Sequence, residues 1–159
     1  MSTKEVVLTK EGILKLEGEL EYLKSVKRRE VSDRIKSALE NGGVDENSEY
    51  EDAKNEQAFV EGRIISFEKM LKNVKVADVE NGDTSAVSVG LTVLLKDLEY
   101  NDTVKYTIVG PIESDVFNNK ISYESPLGKA LMGKSTGTKI DVTAPAGVLR
   151  YEILEILNP

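Results

Sequence analysis

Two long apolar stripes at helical spacing, parted by a glycine pair, constrain this chain more than any other feature. Ile13, Leu16, Leu20 and Leu23 step by three and four residues, the spacing that draws one apolar seam along a helix. Lys27 interrupts the strict heptad. Val31, Ile35 and Ala38 then resume the stripe one residue late, closer to a 3.6-residue period. Thr9 is placed to cap this helix, because its hydroxyl can accept from a free backbone N–H. The second run, Tyr50, Ala53, Gln57, Val60, Ile64, Phe67, Leu71 and Val74, alternates three and four without a fault. Gln57 is its one polar member, a type of position that sets register. Ser48 and Glu51 fit a capping box, and Asp45 and Asn47 are further helix starters. With Gly42-Gly43 between them, the two runs read as an antiparallel hairpin. About thirty residues at about 1.5 Å each make an arm roughly 45 Å long.

Beyond Lys75 the period changes from helical to two. LTVLLKDL (91–98), TVKYTIVG (103–110), KISYES (120–125), KIDVTA (139–144) and VLRYEILEIL (148–157) read as strands rich in β-branched residues. Asn101-Asp102 and Pro145-Ala146-Gly147 supply turns. SPLGKALMG (125–133) reads as one short helix, with Ser125 as cap and Pro126 at its first position. The expected fold class is α+β. An N-terminal antiparallel coiled-coil hairpin occupies residues 1–75, with an acidic tip near 41–49. A small antiparallel sheet with one short helix occupies 76–159.

Composition narrows the chemistry. The chain has neither Cys nor His, which removes disulfides, thiolate and common zinc sites, and His-based acid–base catalysis. Any metal must sit on carboxylates, which means a hard ion such as Mg²⁺. A net charge of −7 argues against a sequence-blind grip on DNA. It leaves a nucleoprotein machine open as partner, since a protein can dock on the enzyme rather than on the nucleic acid. No apolar run approaches a membrane span, and the first residues hold no signal-peptide core, so a cytoplasmic protein is expected.

Two charged stretches stand out. Glu40, Asp45, Glu46, Glu49, Glu51, Asp52 and Glu56 crowd the far end of the hairpin. Acids in a first helical turn favour the helix dipole, so one reading is a solvated turn. The other is a carboxylate cluster that completes a metal site in a partner, since Mg²⁺ takes only one or two protein carboxylates and keeps several waters. KSVKRREVSDRIK (24–36) carries six Lys or Arg against Glu30 and Asp33. Lys54 and Arg63 on the opposing helix are expected to face the same side. That stretch is either a salt-bridged flank or a surface for a phosphate backbone. No nucleophile–base pair, Walker loop or dinucleotide fingerprint occurs, so the chain does not encode a self-contained enzyme.

LTKEGILKLEGELEYLK near the start, DENSEYEDAKNEQAFVEGRI at the tip and SPLGKALMGK near the end together resemble the Gre family of bacterial transcript-cleavage factors, over nearly the whole chain. The resemblance implies an FKBP-like second domain that docks on RNA polymerase, with Ser125, Pro126 and Gly133 in the docking segment. It also implies a coiled coil that enters the polymerase secondary channel and approaches the nascent RNA 3′ end. Tip carboxylates would hold Mg²⁺ jointly with the polymerase: Glu46, which matches a family acid, with Asp45 as the candidate for the second. Lys36, Lys54 and Arg63 would contact RNA. The factor is then no enzyme by itself but stimulates RNA cleavage by the polymerase, as a monomer with no membrane role. One departure matters. The family tip carries Asp where this chain has Gly43, and Asp45 falls on a position that is not the usual ligand. A basic residue common just before the tip is Leu39 here.

Four functions follow as alternatives. The chain stimulates cleavage, with Asp45 replacing the absent acid; or it occupies the channel, cleaves poorly and modulates or inhibits the polymerase. It could instead be a peptidyl-prolyl isomerase, suggested by the FKBP-like half, although such a pocket needs clustered aromatics. It could also be a coiled-coil adaptor without a channel role.

Overall fold

The computed structural model describes residues 5–42, 48–77 and 83–159. Contacts divide the chain into two compact units, one built on residues 13–73 and one on 5–12 with 74–159. Residues 5–12, assigned from sequence to the hairpin, thus belong with the second unit.

The first unit is the helical hairpin. Its outgoing arm is α1 (Lys10–Tyr22), a π-helical segment (Leu23–Lys27) and α2 (Arg28–Gly42); α3 (Ser48–Lys72) returns. The π segment explains the stripe that slips by one residue. Arg28 N–H donates to Leu23 C=O, five residues back, so one extra residue is absorbed without rotating the helix that follows. Leu16 below the segment and Val31 and Ala38 above it are all buried. On α3, Ala53, Val60, Ile64 and Phe67 are buried, and Val60 and Ile64 pack with Val31, Leu20, Leu23 and Ile35. Gln57 is half-buried. Its side-chain oxygen accepts from Lys54 Nζ at 3.0 Å, so its polar end is satisfied.

The second unit holds a five-stranded sheet in the order β5-β4-β3-β7-β6. Its strands are β3 (Thr92–Asp97), β4 (Thr103–Val109), β5 (Lys120–Ser122), β6 (Lys139–Ala144) and β7 (Gly147–Leu157). The sheet is mixed where an all-antiparallel one was expected, because β4 and β5 pair in parallel. A parallel pair needs a crossover longer than a hairpin turn, and residues 110–119 supply it. The register of β3 on β7 shifts between Leu94 and Leu95, a bulge that adds local twist. A separate parallel pair joins β1 (Val6–Leu8) to β2 (Val74–Val76). Sequence did not announce them: Val74 continues the three-and-four stripe of the second helical run, and Val6–Leu8 stands alone before the first. Val87, Val89, Leu91, Val93, Leu95, Ile108, Leu131 and Ile153 form the core.

The short helix α4 (Pro126–Leu131) starts as expected. Ser125 Oγ accepts from Gly128 N–H at 3.1 Å and donates to Ser122 C=O at 2.7 Å. Leu131 is buried. Gly128 lies so close to β5 that a Cβ there would stand 2.0 Å from the Ser122 carbonyl oxygen.

Candidate functional site

Gly43, Asp45 and Glu46 lie outside the described residues; the ends of α2 and α3 on either side carry further acids. Glu40 on α2 and Glu49, Glu51 and Asp52 in the first turns of α3 are all exposed. Among the described residues no three acids gather closely enough to hold a metal. A metal held here therefore needs residues 43–47, a partner, or both. Asp45 and Glu46 offer the hard oxygen donors that Mg²⁺ accepts.

Below the tip, the basic stretch is largely neutralised across the hairpin. Arg28 holds Glu61 with two bonds, Nε to Oε1 at 2.8 Å and Nη2 to Oε2 at 2.7 Å. Lys24 pairs with Glu68 at 3.0 Å and Lys27 with Glu56 at 3.0 Å. Arg34 also bonds Glu56. The hydrogen bond from Lys27 holds the Glu56 carboxyl below the usual glutamate range, and Arg28 does the same for Glu61. Glu56 in turn raises the Lys27 ammonium. These pairs all remain open to solvent, although Lys27, Glu56 and Glu61 are half-buried, so each contributes little to stability alone. Their effect is to spend most of the cations that sequence offered to phosphate.

Lys36, Lys54 and Arg63 remain exposed without an ion pair among the described residues. They do not form one surface. Arg28 and Ser32 line a cleft with Gln57 and Glu61. Lys36, four residues on from Ser32, and Lys54, three before Gln57, continue this flank by helical spacing. Arg63 lies nine residues along α3 from Lys54, about 14 Å and half a turn around the helix. It faces the opposite flank, in a groove of about 410 Å³ with Tyr22, Lys27, Glu56 and Phe59. The expectation that Lys54 and Arg63 share a side is therefore corrected: 3.6-residue geometry separates them. Arg63 instead stacks on two rings, 5.6 Å from the Phe59 centroid and 5.0 Å from Phe67, a cation–π contact.

In the second unit, Ser125 caps α4, Pro126 is exposed at its first position, and Gly133 adopts φ +79° just after it. Gly133 N–H donates to Val87 C=O at 2.9 Å. Two features went unnoticed in sequence. Glu113 is a clasp: its carboxylate accepts from Thr9 N–H at 3.1 Å, from Gly110 N–H at 3.0 Å and from the Thr9 hydroxyl. The same hydroxyl accepts from Gly12 N–H at 3.0 Å, so Thr9 is the cap expected of it. Gly12 fits because its missing Cβ would stand 2.2 Å from the Glu113 side chain. The other feature is a turn at 115–119, announced only by its Asp and Asn residues. The cleft beside Glu113, lined by Thr107, Val109 and Lys120 among others, has no aromatic side chain, unlike an isomerase pocket.

The whole chain has close relatives. A family model described as "Transcription elongation factor, N-terminal" matches residues 6–76, and one described as "Transcription elongation factor, GreA/GreB, C-term" matches 80–158. The transcription elongation factor GreA of Caldanaerobacter subterraneus subsp. tengcongensis is 58% identical over 97% of this chain and 98% of its own. GreA of Acetivibrio thermocellus is 56% identical, covering 98% of both chains. The crystal structure of GreA factor homolog 1 (Gfh1) of Thermus thermophilus is 30% identical, covers 96% of this chain and 99% of its own, and has a TM-score of 0.44. This chain belongs to the GreA/GreB family of transcription elongation factors.

Proposed function

We propose that this protein is a transcription elongation factor that binds RNA polymerase, inserts its hairpin into the secondary channel and stimulates cleavage of backtracked RNA. The support that carries the reading is the match to both family models together with the GreA relatives along nearly the full chain. In this reading Ser125, Pro126 and Gly133 belong to the docking segment, whose backbone is preset by the Ser125 cap and the left-handed Gly133. The chain is not itself an enzyme; it supplies position and charge to the polymerase's own hydrolysis. Asp45 and Glu46 would hold a Mg²⁺ jointly with the polymerase, where such an ion makes water a stronger nucleophile and stabilises the charge that develops on phosphate. Of the cations assigned to RNA, Lys36 and Lys54 share the flank on which a phosphate backbone can be met by both. Arg63, held between two phenylalanines, would act separately on the other flank. The protein works as a monomer in the cytoplasm.

Gly43 favours a second reading, in which the hairpin occupies the channel but cleaves poorly and so modulates or inhibits the polymerase. Losing one metal carboxylate costs roughly 10²-fold in rate. Transcript cleavage by backtracked polymerase, followed across a Mg²⁺ titration, separates the two. Cleavage stimulation by the native chain, lost in Asp45→Ala and in Glu46→Ala, supports the first. Weak stimulation that rises about 10²-fold in Gly43→Asp supports the second. Failure of Gly43→Asp to raise cleavage, with binding intact, removes the missing acid as the explanation.

A further inference from the structure

Residues 115–119 form a turn that is tightly built and presents two large apolar side chains to water. Asp115 and Lys120 close it with reciprocal backbone hydrogen bonds, each 2.9 Å. The Asp115 carboxylate accepts from Phe117 N–H at 3.2 Å and from the Asn118 side-chain amide at 2.6 Å. Asn119 finishes the turn at φ 54°, a left-handed position that Asn tolerates better than most residues. Val116 and Phe117, on the single 3₁₀ turn Val116–Asn118, are 80% and 98% exposed. Ile112, at the start of the same crossover, is 40% exposed.

The polar bonds hold the backbone, and the apolar pair contributes almost nothing to the core. A rigid aromatic on a preset turn loses little further freedom on binding, which is the property of an interface anchor. The charge nearby selects the class of partner. Asp115 is held ionised by the Asn118 amide, and one lysine, Lys120, stands at the base of the turn. A phosphate backbone would find one cation beside one anion there, too little for a nucleic-acid grip. An apolar pocket on a protein fits both ring and valine. The turn also lies at one end of β5 and α4 follows the other, about 10 Å of strand apart, so one interface of ordinary size spans both.

We propose that Phe117, with Val116 beside it, is an anchor of the polymerase-docking surface, seated in an apolar pocket of RNA polymerase. The inference rests on the function proposed above. It is tested by measuring the affinity of the full chain for core RNA polymerase, with the melting temperature of each variant in parallel. Phe117→Ala should weaken binding about tenfold or more and leave the melting temperature unchanged, because the ring is outside the core. Phe117→Leu should recover part of the loss. Affinity within twofold of the native chain for Phe117→Ala overturns the proposal. So does a Phe117→Ala chain that loses only self-association, which would make a second copy the occupant. A native chain that fails to bind polymerase sinks the functional reading itself, whereas native binding with an indifferent Phe117 sinks only the anchor.

Discussion

Two glycines with no obvious turn role differ in what surrounds them, and the difference predicts their behaviour. At Gly128 a side chain would run into the Ser122 carbonyl, a backbone atom of β5. Nothing there can swing aside, so α4 must lift off the sheet. Gly128→Ala should therefore destabilise the second unit by about 3 kcal/mol, read as a lower denaturation midpoint. At Gly12 the obstacle is the Glu113 side chain, which can rotate away. The cost of Gly12→Ala is then the loss of charge-assisted bonds to Thr9 and Gly110, about 1.5–3 kcal/mol. A double-mutant cycle checks the cause: in a Glu113→Ala background, Gly12→Ala should cost much less. Equal costs in both backgrounds would mean that the clasp is not what Gly12 makes room for.

At the scale of elements, the π segment lets one helical arm carry two apolar stripes that are out of step in sequence. Deleting the exposed Ser25 would turn Leu23–Lys27 into ordinary α-helix and leave Val31, Ile35 and Ala38 on the seam. Inserting one alanine after Ser25 would instead rotate them out by about 100°. The deletion should leave thermal stability nearly unchanged. The insertion should cost about 1.5–3 kcal/mol for each large side chain exposed, measurable by circular dichroism. Ion pairs along the same arm set its pH response. Glu56 and Glu61 titrate below the ordinary carboxylate value because of Lys27 and Arg28. Their stabilisation is present above the unfolded glutamate pKa, about 4.3, and is lost as pH falls through the lower folded values. Lys27, raised by Glu56, has the opposite sign: its share persists below the unfolded lysine pKa and is lost at higher pH as the folded value is passed. The hairpin should therefore melt earlier in acid, and Glu56→Gln with Glu61→Gln should flatten that acid limb.

For the whole molecule, the proposed docking and working ends lie in different units. The residues proposed to dock, Phe117, Ser125, Pro126 and Gly133, belong to the second unit, and the tip segment to the first. A chain with Asp45→Ala and Glu46→Ala should keep its affinity for polymerase while losing cleavage. It should then compete with the native chain, and inhibition assays at increasing variant concentration read this directly. Loss of binding in the tip variant would place the main contact at the tip instead.

Local chemistry and periodicity were sufficient for much of this protein. The three-and-four spacing, the period-two runs and the caps at Thr9 and Ser125 act within a few residues, so they are legible in order along the chain. Even the one-residue slip after Leu23 was visible, although sequence did not say that a π turn absorbs it. The absence of Cys and His limited the chemistry to carboxylates before any fold was known. What tertiary structure alone decided involves partners distant in sequence. Glu113 meets Thr9 across 104 positions, so no local pattern could reveal the clasp. Lys54 and Arg63 look like neighbours in a basic list until the pitch of α3 puts them on opposite flanks. Lys24, Lys27, Arg28 and Arg34 look available to phosphate until α3 brings glutamates against them. The physical reason is the same in each case: periodicity is a property of one segment, whereas neutralisation, clasping and exposure depend on which segments meet.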